Sequence, residues 1–491
     1  MRTWTPVLLA LLLAGCAHPP GALPPAGAPG EAIVPPAWSF ACPPGSRQSP
    51  TQACYSPMAA PQSMDGDVAV HHSGGKTLVA RVARDAAAPL EAPGNLAAIT
   101  LAELRPDGTM GAATVLPTWL PPTNPGVVNF GFPAILRADT GPFHLVYLAF
   151  LATSAPAGSI LGLEVPSMAR GYEWVLHATS PDGVAWSAPE AIAEADDIFN
   201  LRAGMARDGT LAVAWLVLES RLLAGVTFER QDPEGHLGPG HPWRQAADHA
   251  CWYPSNVQEW EGRLHIACGR GSGESFANTV PVAMTILELG SDGPEPIGSI
   301  LTDCTFFTLA SDGPHVLAIG AAIGYGGGCT DLRLLESTDG GRNWTRQGTA
   351  WDKVALLREL DQGTSSADRG SWGDDPLAVT ADATGFTVLA DVRCNAMAPD
   401  GHPQVDYCAV AFRLGPGLET GPAHLLQEAP DYAARNSKFA KAWTTLAFET
   451  FPTASLASVD GTLFAAWNDG RGSAFTIVAG MDATPHADPA P

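Results

Sequence analysis

Three groups of residues in this chain have the types and spacing to do chemistry. Trp372-Gly373-Asp374-Asp375 sets two adjacent acids in a glycine turn beside an aromatic ring. Carboxylates held that close either share a divalent cation such as calcium or separate in pKa. Glu449 adds a third acid, which with Asp374 or Asp375 would form a carboxylate pair of the kind that cleaves glycosidic bonds. Trp252 and Tyr253 adjoin, and with Trp372 they offer flat faces on which sugar rings stack. Arg202 and Asp303 supply a donor fork and an acceptor to orient a polar ligand. Each has a plain alternative, since Asp at a strand entrance caps turns and Trp or Tyr there packs against a core.

The elements that must position these residues repeat along the chain. Seven times an apolar strand runs into a glycine-marked turn and returns as another apolar strand, at Gly75, Gly141, Gly209, Gly262, Gly313, Gly385 and Gly461. A third apolar strand and a weaker fourth follow each one, for example Trp174-Val175-Leu176-His177 and Ala283-Met284-Thr285-Ile286. Successive glycines lie 66, 68, 53, 51, 72 and 76 residues apart. A long all-strand repeat is the pattern of a β-propeller, because a lone four-stranded meander leaves both faces apolar and stacking around an axis buries them. The fold class expected is therefore all-β, a propeller of four-stranded antiparallel blades, seven in number or six if one meander is misread.

In such a fold the first strands line the central channel, and the residues entering them ring its mouth. Counting back from each glycine places Asp65 and Asp67, Asn129 and Phe130, Asn200 and Arg202, Trp252 and Tyr253, Asp303, Trp372, Asp374 and Asp375, and Glu449 and Phe451 there. Acids dominate this ring, so its field favours a cation, a neutral sugar or a basic partner. The seventh unit runs out after Gly480, and a strand from the chain's start, around Ala32 to Phe40, is expected to complete it.

Arg2, the apolar run Val7 to Leu13, and Leu13-Ala14-Gly15-Cys16 have the order of a secretory signal. The last four are similar to the bacterial lipobox, which implies cleavage before Cys16 and lipidation of its thiol. Ala17 after the cysteine resembles the outer-membrane pattern of such lipoproteins. The expected organisation is a signal over 1–15, a Pro/Ala/Gly-rich stalk over 16–40, one propeller domain over 41–485 and a tail over 486–491. The membrane would be a partner through the lipid anchor only, since no other run is long and apolar enough to span it. Acids outnumber bases 50 to 27, for a net charge of −23. With four lysines and no basic run, nucleic acid is not an expected partner.

Nine cysteines less the lipidated one leave eight for an oxidising compartment. Their order pairs neighbours, Cys42 with Cys54, Cys251 with Cys268, Cys304 with Cys329 and Cys394 with Cys408. Cys251 and Cys268 lie nearly symmetrically about the Gly262 turn, which lets them meet across a hairpin. Zinc is the rival use, but the chain has neither CxxC nor HExxH.

Two turns between third and fourth strands carry a family signal. Ser337-Thr338-Asp339-Gly340-Gly341-Arg342-Asn343-Trp344 reads S-x-D-x-G-x-x-W, and Ser180-Pro181-Asp182-Gly183-Val184-Ala185-Trp186 is one residue shorter. They resemble the Asp boxes, or BNR repeats, of the sialidase superfamily and other propellers. In that motif Ser and Asp bond local backbone, Gly takes a positive φ and Trp packs beneath. The same context reads the Asn343-Trp344-Thr345 sequon as structural. Sialidases themselves need an arginine cluster and a Phe-Arg-Ile-Pro type motif. The nearest stretch here is Phe130-Gly131-Phe132-Pro133, with phenylalanine where the arginine should stand.

Two insertions complete the reading. Trp351 to Gln362 has helical apolar spacing, and Ala433 to Trp443 carries two lysines beside aromatics as a surface helix or a partner-binding loop. The expectation for function is a lipid-anchored envelope module that binds a glycan or an envelope protein at its mouth without catalysis. The alternative is a glycoside hydrolase or lyase acting through Asp374, Asp375 and Glu449.

Overall fold

The computed structural model describes residues 37–58, 63–85, 98–117, 119, 127–152, 158–160, 163–165, 172–196, 198–217, 222–229, 236–244, 251, 254–271, 281–302, 304, 306–321, 331–360, 375–397, 403–427, 454–468 and 474–482. All belong to one compact unit, Val34–Pro491.

The repeat folds as seven antiparallel sheets, each with its strands side by side in chain order. Blade 1 holds Ser63–Ser73, Lys76–Asp85, Ala98–Glu103 and Thr114–Val115. Blade 2 holds Val127–Leu136, Phe143–Ala152, Tyr172–Ser180 and Glu190–Asp196. Blade 3 holds Ile198–Met205, Leu211–Val217, Leu222–Phe228 and Gly240–Arg244. Blade 4 holds Gln258–Trp260, Arg263–Gly271, Pro281–Gly290 and Gly293–Ile300. Blade 5 holds Phe306–Asp312, His315–Ala321, Arg333–Ser337 and Thr345–Thr349. Blade 6 holds Asp375–Asp382, Gly385–Met397, Pro403–Leu414 and Thr420–Gln427. Blade 7 holds Ala454–Val459, Thr462–Asn468 and Ala474–Asp482.

The glycine-led strands are the second strand of each blade, and they explain how the ring is held. Successive side chains on a strand point to opposite faces. In Leu211–Val217, residues 211, 213 and 215 pack with blade 2, while 212, 214 and 216 pack with blade 4. Leu145 and Tyr147 face blade 1, whereas Val146 and Leu148 face blade 3. Both faces of the blade are buried, so its inner strands read as continuous apolar runs rather than alternating ones. Among the described residues seven apolar clusters result, one at each junction between neighbouring blades.

Blade 7 is completed from the N-terminal side. Ala37–Phe40 pairs with the last strand from Asp482 to Ala479, and Ser56 and Pro57 pair with Thr476 and Phe475. Two short segments in tandem thus make one outer strand. Residues 37–40, which sequence composition assigns to the stalk, are part of the sheet. At the ring's centre Ser455 Oγ accepts from Val70 N at 2.9 Å and donates to Val70 O at 3.1 Å, joining blades 7 and 1.

The disulfides Cys42–Cys54 and Cys251–Cys268 are formed. Cys304 and Cys408 are each disulfide-bonded; Cys329 and the Cys394 side chain lie outside the described residues. The stretch after blade 5 forms two short helices, Ala350–Lys353 and Ala355–Leu360. Thr349 and Asp352 form a capping box at the first, and Ala350, Val354 and Leu357 pack into the blade 5–6 junction.

Candidate functional site

The channel wall is built from the seven innermost strands, and three of them are irregular at corresponding points. In blade 1 Asp65 pairs with Ala83 but Val68 with Arg81. In blade 2 Gly131 pairs with Leu148 but Ala134 with Val146, and in blade 3 Phe199 pairs with Leu216 but Arg202 with Ala214. Each time two residues oppose one, which is a β-bulge, a device that re-aims side chains. The first bulge residues of blades 2 and 3, Phe132 and Asn200, stand at φ +51° and +55°. A bulky residue there is strained by roughly 1–3 kcal/mol, so the surroundings must compensate.

Asp67 supplies that compensation. The bulge takes the Phe132 N–H out of the ladder, and the N–H donates to Asp67 Oδ2 at 2.7 Å. Asp67 is buried, as is Asn200. Arg202 lies on the blade 3 side, partly exposed. Burial draws its pKa from 12.5 down to about 10, and the Asp67 carboxylate opposes that fall. The guanidinium therefore remains a cation at neutral pH. Its Nε is buried and has no hydrogen-bond partner among the described residues. A buried donor without a partner costs free energy unless something accepts from it. The arrangement is a cation favoured by the charge of a nearby carboxylate, with donor capacity in reserve at Nε.

Of the residues counted to the mouth from sequence, Asp67, Phe130, Asn200 and Arg202 have side chains described on the innermost strands. Asp375 begins the innermost strand of blade 6, where its backbone pairs with Asp391 and the register shifts between Pro376 and Ala378. Trp252, Tyr253, Asp303, Trp372, Asp374 and Glu449 lie outside the described residues, as do Cys16 and the 433–443 insertion. Among the described residues no group of three or more His, Cys, Asp or Glu gathers to hold a metal. What sequence reasoning missed is the bulge and the Asp67–Phe132 bond. Gly131 and Pro133 inside a strand were its available signal.

The two serine turns sit at the opposite end of the blades. Ser180 Oγ accepts from Gly183 N at 2.9 Å, Asp182 Oδ1 accepts from Val184 N and Ala185 N, and Trp186 Nε1 donates to Gly183 O. In the other turn Ser337 Oγ accepts from Gly341 N at 2.9 Å, Asp339 Oδ1 from Asn343 N, and Trp344 Nε1 donates to Gly341 O. Each turn also binds the preceding blade. Lys76 Nζ donates to Asp182 O, and Trp260 Nε1 donates to Gly340 O. Each of these two bonds joins neighbouring blades.

No family model matches the chain, and no curated protein matches it. Among solved structures, the chain is similar to a phage phi92 endosialidase at 7% identity and TM-score 0.44, over 90% of this chain and 70% of that one. It is similar to a polysaccharide lyase described as an ulvan lyase at 13% identity and TM-score 0.44, over 85% and 95%. A putative glycoside hydrolase from Parabacteroides distasonis follows at 11% identity and TM-score 0.31, over 91% and 93%.

Proposed function

We propose that this protein is a lipid-anchored propeller of the bacterial envelope that binds a glycan at the mouth of its channel without cleaving it. Arg202 carries the reading: it is a channel cation whose Nε lacks a partner among the described residues. A guanidinium in that state donates to sugar hydroxyl or carboxylate oxygens, and the carboxylate of Asp67 keeps it charged while it does so. Trp252, Tyr253 and Trp372 would stack on the sugar, Asp303 would accept from its hydroxyls, and a calcium ion at Asp374 and Asp375 would brace the rim. The serine turns at Ser180 and Ser337, read as Asp boxes, would be structural. Lipidation of Cys16 and the outer membrane as location belong to the same proposal.

The blade 6 register shift beside Asp375 favours a second reading, a hydrolase or lyase using Asp374, Asp375 and Glu449. A glycan array on soluble protein starting after residue 30, with released sugars assayed in parallel, separates the two. Binding that is lost in Arg202→Ala, with no sugar released, is the expected result. Release of sugar that Asp375→Ala abolishes would establish the enzyme instead. Silence in both assays would reject both readings and direct attention to envelope proteins.

A further inference from the structure

The N-terminal segment 37–58 does more than complete blade 7. Trp38 and Ala53 are buried in the apolar cluster shared by blades 6 and 7, while Ala41 and Met58 pack on the cluster shared by blades 7 and 1. The excursion between its two strand segments reaches both neighbours. Thr51 Oγ donates to Leu425 O of blade 6 at 3.0 Å, and His424 of blade 6 stacks on Trp38 with ring centroids 5.1 Å apart. On the other side Pro43 lies over Gly108, in a turn of blade 1, so closely that a Cβ on that glycine would come within 2.9 Å of its ring. One short segment therefore clasps three consecutive blades at the point where the ring closes.

Within that clasp the two tandem pieces, Ala37–Phe40 and Cys54–Pro57, are linked by residues 41–53 and by the Cys42–Cys54 disulfide. Of the half-cystines whose side chains are described, Cys42 is the exposed one; Cys54 is 3% exposed, Cys408 4%, and Cys251, Cys268 and Cys304 0%. A disulfide is reduced by a thiolate that must reach one of its sulfurs. We propose that the Cys42–Cys54 disulfide is a redox-controlled clasp on ring closure, reducible in the folded protein while the buried Cys251–Cys268 bond is not. A dithiol attacks Cys42 Sγ, the S–S bond breaks, and Cys54 leaves as a thiolate that takes up a proton. The reagent's second thiol then resolves the mixed disulfide, so the dithiol ends as its own disulfide and both cysteines as thiols. With the cross-link gone, each half of the composite strand holds to Ala474–Asp482 by its own few hydrogen bonds, and the blade 6–7–1 junction loosens.

The test is a dithiothreitol titration of the folded chain with alkylation and peptide mapping, followed by amide hydrogen exchange. Cys42 and Cys54 are expected to alkylate at about tenfold lower reductant than Cys251 and Cys268. Exchange over 474–482 should then rise by about tenfold, with 211–217 unchanged. Equal resistance of the two disulfides would overturn the proposal, and so would unchanged protection over 474–482 after Cys42 and Cys54 are alkylated. A C42S/C54S variant is expected to show the faster exchange without reductant. Should that variant not accumulate, the wild-type titration decides the question by itself.

Discussion

Asp67 of blade 1 accepts from the N–H of Phe132 of blade 2 at 2.7 Å, where Phe132 stands at φ +51°, and the same carboxylate favours the charged form of Arg202 in blade 3. A buried carboxylate, a partly exposed guanidinium whose Nε is buried, and a φ of +51° thus share the innermost strands of three neighbouring blades. A buried carboxylate is costly without donors or a nearby cation, and the Phe132 N–H freed by the bulge needs an acceptor.

Mutation of the pair gives the first prediction. Asp67→Asn should destabilise the propeller by about 1–3 kcal/mol, because the Phe132 N–H loses a charged acceptor and Arg202 loses a neighbouring opposite charge. Adding Arg202→Met should recover part of that loss, so a double-mutant cycle in denaturant should yield a coupling of about 1 kcal/mol or more. Strict additivity would show that the two do not act on each other.

Acid should weaken the fold before the carboxylates titrate. His177 and His265 are buried, and burial draws each from 6.5 down to about 4. His71 falls to about 4 as well, by burial first and then by the charges of His72 and Arg137. A folded pKa below the unfolded value means that the unfolded chain binds more protons between the two. The stability is complete above pH 6.5 and is lost as pH falls from 6.5 toward 4. Each of His177 and His265 accounts for up to about 3 kcal/mol of that loss. Melting temperature measured from pH 7.5 to 4 should drop steadily, and His177→Gln should flatten part of the slope; a flat wild-type profile over that range would refute the account.

Within blade 6 the buried Arg413 pairs with the half-buried Asp382, and the same carboxylate accepts from blade 7. Arg413 is fully buried and donates to Asp382 Oδ1 at 3.0 Å and to Thr387 Oγ1 at 2.8 Å, while Ser458 of blade 7 donates to Asp382 Oδ2 at 3.0 Å. Burial pushes the Asp382 carboxyl up, yet the hydrogen bonds from Arg413 and Thr384 hold it below its ordinary 3.8. Arg413→Leu should therefore cost about 1–3 kcal/mol in chemical denaturation, since it leaves the half-buried carboxylate with only Thr384 and Ser458 as donors. Replacing both partners, Arg413→Leu with Asp382→Leu, should cost less than the single change.

How much of this was legible depends on how far each cause lies along the chain. The returning strands were readable because a positive-φ glycine and a two-faced apolar strand are local facts, as at Gly461 and Leu463 to Trp467. The capping box at Thr349 and Asp352 is local too. The Phe132 bulge is only half so: Gly131 and Pro133 mark an irregular strand, but the acceptor Asp67 lies 65 positions earlier. Arg413 lies in the continuous buried run Cys408 to Leu414, and the acceptors that make its burial tolerable, Asp382, Thr384 and Thr387, lie 26 to 31 residues earlier. Acids near strand entrances looked interchangeable in the sequence; the structure distinguishes Asp67 because the bulge of the next blade presents it with a donor.

The serine turns give the last prediction, in which two sites with the same hydrogen bonds should respond unequally. Gly183 and Gly341 stand at φ +76° and +83°, so alanine is strained at both by a similar amount, about 1 kcal/mol. Their surroundings differ. A Cβ at Gly183 would come within 2.7 Å of Leu78 Cδ1 on blade 1, whereas at Gly341 the nearest atom is Trp260 Cζ2 at 3.3 Å. The first contact forces Leu78 out of place in the blade 1–2 cluster, and the second needs only a small adjustment. Gly183→Ala should therefore lose about 2–3 kcal/mol and Gly341→Ala about half of that, by thermal or urea unfolding. Leu78→Val in the Gly183→Ala background should return part of the loss although it destabilises the wild type. Equal losses at the two glycines would mean that backbone strain alone governs these turns and that their grip on the preceding blade contributes nothing.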